Sequence, residues 1–107
     1  EHETRVMAFY SLLRQAWERA VEDTLLKDVV KRFSREVNTK NLRYLKAIED
    51  SDIIAVETNM TKCSKIGAHD RAAGEMVSIP EVAEIEADLK ELQDWAANLK
   101  TKQKHHD

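Results

Sequence analysis

Four polar side chains in this 107-residue sequence have the types and spacing to do chemistry. Arg14 and Glu18 stand four residues apart in a helical stretch, so both leave the same face on successive turns. His69 and Asp70 stand together in a stretch bracketed by Gly67 and Gly74. An imidazole transfers protons near neutrality, and a neighbouring carboxylate can fix its tautomer. A guanidinium can hold a phosphate through paired, charge-assisted hydrogen bonds. Each pair also has a plainer reading. Arg14 and Glu18 then form a surface ion pair worth ~0.3–0.5 kcal/mol, while His69 is a solvated loop residue and Asp70 caps a turn.

Other chemistries lack their residues. The sequence has no glycine-rich phosphate loop, no paired cysteine ligands and no His-Glu-x-x-His helix. Ser11, Ser34, Ser51, Ser64 and Ser78 fall in helical patterns or at caps, not in a strained nucleophile elbow. Cys63 lies on the apolar side of its helix, where a buried, inert thiol is expected. No cofactor and no metal are implied.

The elements that must position these groups read as helices. Only two glycines and one proline occur, with 42% hydrophobic and 35% charged residues, a composition that favours helix over strand. Val6, Phe9, Leu13, Ala16, Trp17, Ala20, Val21 and Thr24 recur at three- and four-residue steps, predicting a first helix from about residue 3 to 26. Asp28 caps an expected short second helix carrying Val29, Val30, Phe33 and Val37. Asn38-Thr39 opens a third, with Leu42, Leu45 and Ile48 inward. Asp50-Ser51-Asp52 starts a fourth, with Ile53, Ile54, Val56, Met60 and Cys63. Residues 67–79 read as the main loop.

Ser78-Ile79-Pro80-Glu81 then starts the last helix. Its seam is Val82, Ile85, Leu89, Leu92, Ala96 and Leu99, expected to pack lengthwise on the first helix with Trp95 at the flank. The expectation is an all-α bundle of about five helices, the first and last long, in one domain spanning 1–107 with a flexible tail at 101–107. His105 and His106 in that tail carry no functional weight.

Seventeen basic and twenty acidic residues give a net charge of −3, which is no footprint for bulk nucleic-acid binding, though a local basic patch stays open. The single cysteine excludes an intramolecular disulfide and suits a reducing cytoplasmic setting. No apolar run approaches the roughly 18 residues of a membrane span. The sequence begins at Glu1, as expected of a processed or truncated chain.

Three stretches together resemble a known class of proteins. They are Leu13-Arg14-Gln15-Ala16-Trp17-Glu18-Arg19-Ala20-Val21-Glu22, then Val29-Val30-Lys31-Arg32-Phe33 with Val37-Asn38-Thr39, then Met60-Thr61-Lys62-Cys63-Ser64 ahead of His69-Asp70. Their order and spacing resemble the extreme C-terminal region of bacterial AAA-family ATPases with an ABC- or SMC-like head, similar to the ATPase of the anticodon nucleases. The resemblance spans about residues 7–100. The Walker motifs, signature motif and coiled-coil arms of that class are absent from this chain, so ATP hydrolysis is not expected. A domain cut from such a protein and a stand-alone tail are both compatible.

In the anticodon nucleases the C-terminal part is a helical ribonuclease of the HEPN-like type. Its active site combines an Arg and a Glu one turn apart with a distant His. Arg14, Glu18 and His69 occur here in that order. The Arg-x-x-x-x-His motif of ordinary HEPN domains is missing, since Ser64 and Lys65 precede His69 by five and four residues. The resemblance therefore implies a HEPN-like helical domain, with three readings of function. One is a non-catalytic interaction or dimerisation module, a homodimer through helical faces or a partner of an ATPase. Another, of a different class, is an antitoxin-like or accessory protein of a mobile element that regulates its full-length relatives. The third is a metal-independent ribonuclease on tRNA or structured RNA. There the RNA 2′-hydroxyl attacks, His69 moves the proton, Arg14 holds the scissile phosphate, Glu18 orients Arg14 and Asp70 fixes the imidazole.

Overall fold

The computed structural model describes residues 1–68 and 78–107. Helix α1 (His2–Ala20) buries Val6, Leu13, Trp17 and Ala20 of the stripe read from the sequence, together with Tyr10, which that stripe did not include, while Ala16 is exposed. Its last turn widens into a π-helical stretch, Val21–Leu25, which buries Thr24 and Leu25. A 3-10 helix (Thr39–Ala47) follows. Then come α2 (Asp50–Gly67) and α3 (Val82–Gln103), the latter ending in a 3-10 turn, Lys104–His106. Among the described residues there are four helices and no strand, and the first and last are long. None is long and apolar enough to cross a membrane.

Named contacts set the directions of the helices. Tyr10 meets Asp88, Trp17 meets Trp95 and the Thr24 carbonyl meets Gln103, so α1 and α3 run parallel. Arg14 meets Ser64 and Ser11 meets Gly67, so α2 runs antiparallel to α1. Asn59 meets Glu91 and Lys62 meets Asp88, which makes α2 antiparallel to α3 as well. The core lies where the three meet, around Tyr10, Leu13, Trp17, Cys63, Ile66, Leu92, Trp95 and Leu99. The α1–α2 contact is close because Gly67 has no side chain. A Cβ built there would stand 2.8 Å from Ser11 Oγ and 3.1 Å from the Ser11 nitrogen. The α1–α3 contact is filled by the Trp17–Trp95 pair, ring centroids 5.0 Å apart, and side chains of that size hold helix axes further apart.

Several expectations from the sequence are corrected. Residues 28–37 form turns and bends, not a helix. Lys27 and Asp28 both adopt left-handed backbone (φ 51° and 58°), which ends helical propagation. The Asp28 N–H turns back to the Glu22 carbonyl at 2.8 Å. Val29 alone of the four expected apolar residues is buried; Val30, Phe33 and Val37 are exposed. The third helix is 3-10, with Leu42 exposed and Ala47 buried.

In α2, Ile53 and Ile54 are exposed while Cys63 is buried. The inward face of α3 is Asp88, Leu92, Trp95, Leu99 and Gln103, with Trp95 at the centre of the contact; of the expected seam Leu92 and Leu99 are buried, Ile85 and Ala96 pack half-buried against the core, and Val82 and Leu89 are exposed. Residues 101–107, expected to be flexible, carry the helix on to Gln103. That side chain is buried and donates to the Thr24 carbonyl at 2.6 Å, while Asp107 accepts from the Tyr44 hydroxyl at 2.8 Å.

Candidate functional site

Arg14 and Glu18 do leave α1 on one face, and they pair: a guanidinium nitrogen of Arg14 lies 3.3 Å from Glu18 Oε2. The Arg14 Nε donates to Ser64 Oγ on α2 at 2.8 Å. Two partners at fixed positions hold the guanidinium plane, leaving further N–H groups to donate outward. The side chain is 43% exposed, at a groove lined by Ser11, Arg14, Gln15, Cys63, Ser64, Gly67 and Ala68. His69 and Asp70 lie outside the described residues; Ala68, which precedes His69, lines the groove.

Cys63 reaches that groove from the core. Burial, with the Asp88 carboxylate second, pushes its thiol up to about 11. It is the neutral, weakly nucleophilic thiol expected of its position. Among the described residues no three His, Cys, Asp or Glu side chains gather where a metal ion could be held.

Polar contacts between helices that the sequence left unread stand beside this groove. Asp88 is buried, accepts the Tyr10 hydroxyl, and pairs with Lys62 Nζ at 2.8 Å. Lys62 also pairs with Glu84 at 2.6 Å. Burial alone would lower the Lys62 pKa, but the hydrogen bonds to Asp88 and Glu84 raise it overall. At the other end of the bundle Lys102 bonds Asp52 and Glu49, at 2.6 and 2.8 Å, with the same net result. The spacing of Lys62 and Asp88 could not announce this, because the partners lie on different helices.

A second feature is a face rather than a cluster. On α1, Ser11 and Arg14 lie on the α2 side of the Tyr10–Trp17 line, and the 100° step per residue puts Phe9 and Leu13 on the other side, with Leu12 turned to the outer face of the helix. On α3, Glu84 and Glu91 lie toward α2, and Ile85, Leu89 and Leu92 lie away from it. Both apolar sets therefore border one side of the α1–α3 seam, opposite α2. Leu13 and Leu92 are its buried floor, Phe9 and Ile85 are half-buried, and Leu89 and Val82 are exposed, Val82 by 59%. Searches against protein-family models, curated proteins and solved structures find no match.

Two activities suit these arrangements chemically. The Arg14 groove can hold an anion such as a phosphate. The α1–α3 face can bury apolar surface against another helix. Val82, expected in the packed seam, becomes a candidate contact residue by its exposure.

Proposed function

We propose that this chain is a non-catalytic helical docking module of HEPN-like topology. It corresponds to the C-terminal tail of a bacterial defence-type ATPase and associates through the α1–α3 face, as a homodimer or with the ATPase. The observation that carries this reading is the apolar face that the described residues leave exposed. Val82 and Leu89 are exposed beside a floor of Leu13 and Leu92, and such a face beside a packed core marks an interaction surface. Phe9 and Ile85 give it depth. The two parallel helices offer a groove that another helix can fill by ridge-into-groove packing.

Analytical ultracentrifugation tests it. The wild type is expected to exceed its 12.3 kDa monomer mass at high micromolar concentration. Leu89→Glu should weaken association by on the order of 100-fold, because an unpaired carboxylate in a buried contact costs roughly 3 kcal/mol or more. Equal association by the variant would contradict this choice of face.

A ribonuclease is the second reading, favoured by one observation: Arg14 is braced by Ser64 and Glu18 in a groove that Ala68, next to His69 in the chain, helps to line. In this reading Arg14 grips the scissile phosphate, Glu18 orients it, His69 moves the proton of the attacking 2′-hydroxyl, and Asp70 fixes the imidazole. Total tRNA incubated without metal should then be cleaved, with Arg14→Ala and His69→Ala each losing at least ~100-fold in rate. Intact tRNA after incubation with the folded wild type would rule the reading out.

A further inference from the structure

Four of the nine large apolar side chains that stand exposed among the described residues fall within residues 30–42: Val30, Phe33, Val37 and Leu42. The first three lie on a loop closed at its base, where the Asn38 N–H donates to the carbonyl of buried Val29 at 2.8 Å. Phe33 is 104% exposed and has left-handed backbone at φ 67°. A bulky side chain rarely adopts that conformation without constraint. The constraint is the preceding residue. Glu22, on the π-helical end of α1, accepts the Arg32 backbone N–H at 2.8 Å and also pairs with the Arg32 guanidinium.

The 3-10 helix that follows sorts its residues with a period of three, so that i and i+3 eclipse about 6 Å apart along the axis. One line, Asn41, Tyr44 and Ala47, is fixed to the fold. Asn41 donates to the Lys27 carbonyl at 2.9 Å, the Tyr44 hydroxyl donates to Asp107, and Ala47 is buried. A second line is Lys40, Arg43 and Lys46. All three are exposed, and none has an ion-pair partner among the described residues. No acid occurs from Thr39 to Ala47. The third line carries exposed Leu42. In the loop, by contrast, Lys31 and Arg32 are paired with Asp28 and Glu22, and Glu36 stands beside Arg35. The excess positive charge of the segment therefore sits on the ridge of the 3-10 helix. A groove lined by Lys31, Ser34, Val37, Thr39 and Lys40 joins the loop to that ridge.

The aliphatic members decide between the polyanions that exposed cations attract. A nucleic-acid strand stacks its bases on aromatic rings, which leaves Val30, Val37 and Leu42 without a role. An anionic bilayer sets phosphate headgroups over an acyl layer that receives aliphatic and aromatic groups alike. We propose that residues 29–46 form a membrane-surface site: Phe33, Val30 and Val37 enter the headgroup–acyl boundary, and Lys40, Arg43 and Lys46 meet the lipid phosphates. The chain lies on the bilayer and does not cross it. The site shares no residue with the α1–α3 face and does not rest on the docking reading.

Co-sedimentation of the full chain with lipid vesicles tests it, with circular dichroism to verify that each variant is folded. The wild type should sediment with vesicles of equal parts phosphatidylcholine and phosphatidylserine, and stay in solution with phosphatidylcholine alone. Replacing Lys40, Arg43 and Lys46 together by Gln should weaken partitioning on the order of 100-fold, about 5-fold for each cation near the surface. Phe33→Ala should weaken it at least ~10-fold, the loss of one buried aromatic side chain. Trp17 and Trp95 are already buried, so the emission of Phe33→Trp reports its own surroundings and should shift to the blue when mixed vesicles are added. A wild type left in solution by the mixed vesicles would overturn the proposal. So would vesicle binding that is unchanged in Phe33→Ala, or a Phe33→Trp emission that does not move. Binding of a single-stranded oligonucleotide in place of vesicles, weakened by the same substitutions, would assign the surface to nucleic acid and overturn it as well.

Discussion

Tyr10 on α1 donates its hydroxyl to Asp88 on α3, across 78 residues of sequence and in the buried interior. The same carboxylate holds Lys62 of α2, so one acid ties all three long helices together. Such a contact is specific as well as stabilising: rotating either helix by one position would leave a buried group unpaired. Tyr10→Phe should cost about 1–2 kcal/mol in urea unfolding, the worth of one hydrogen bond to a charged acceptor. Asp88→Ala should cost more, roughly 3 kcal/mol, because it strands the buried Tyr10 hydroxyl and leaves Lys62 with Glu84 alone. Equal losses in the two variants would mean that Lys62 does not depend on Asp88.

The Gly67–Ser11 approach gives a steric prediction. An alanine at 67 would press its Cβ against Ser11 Oγ and the Ser11 backbone nitrogen. Gly67→Ala should therefore destabilise by roughly 1–3 kcal/mol, as overpacking does. Adding Ser11→Ala should recover only part of that loss, since the backbone nitrogen at 3.1 Å remains. Thermal melts of the two variants decide it, and full recovery would place the whole conflict at the hydroxyl.

Alkaline stability follows from the buried cations. In Lys62 burial opposes the charge, yet the bonds to Asp88 and Glu84 raise the pKa above the ordinary 10.5. Lys102 behaves alike through Asp52 and Glu49. Each folded-state value lies above the unfolded one. The stability they contribute is thus fully present below 10.5 and is lost as pH rises through the folded values. Cys63, moved from 9.0 to about 11 by burial, adds to the same decline. The melting temperature should hold to about pH 9 and fall above it. Lys62→Met should flatten that fall, and an unchanged slope would remove Lys62 from the account.

The clamp on Arg32 has the opposite pH dependence. The Arg32 backbone hydrogen bond, with the guanidinium after it, holds the Glu22 carboxyl below its usual range. Its contribution is present above the ordinary 4.5 and is lost as pH falls through the folded value. Amide exchange in residues 28–38 should therefore quicken in acid before the helical core loosens. Simultaneous loosening of both would show that Glu22 does not anchor the segment.

Much of α1 was legible because its burial is apolar and periodic: Val6, Leu13, Trp17 and Ala20 are all core residues. The first half of α3 was not. There an aspartate faces inward, and its partners Tyr10 and Lys62 lie on other helices, so a stripe drawn through Val82 and Leu89 takes the wrong face. The apolar residues of 28–37 misled for a related reason. Val30, Phe33 and Val37 have helical spacing, but left-handed backbone at Lys27 and Asp28 and the Glu22–Arg32 clamp turn the chain away from a helix. Of the candidate site, the Arg14–Glu18 pair was readable from its four-residue spacing. Ser64, which braces Arg14, was not, since nothing local links residues 50 positions apart.

The α1–α3 face is the claim on which the functional account depends, and amide chemical shifts followed from low micromolar to millimolar protein probe it most directly. Concentration-dependent shifts should gather on Phe9, Leu13, Ile85 and Leu89, and leave Ser51, Ile54 and Glu57 on the outer side of α2 unmoved. A spectrum unchanged across that range, or shifts confined to α2, would contradict it.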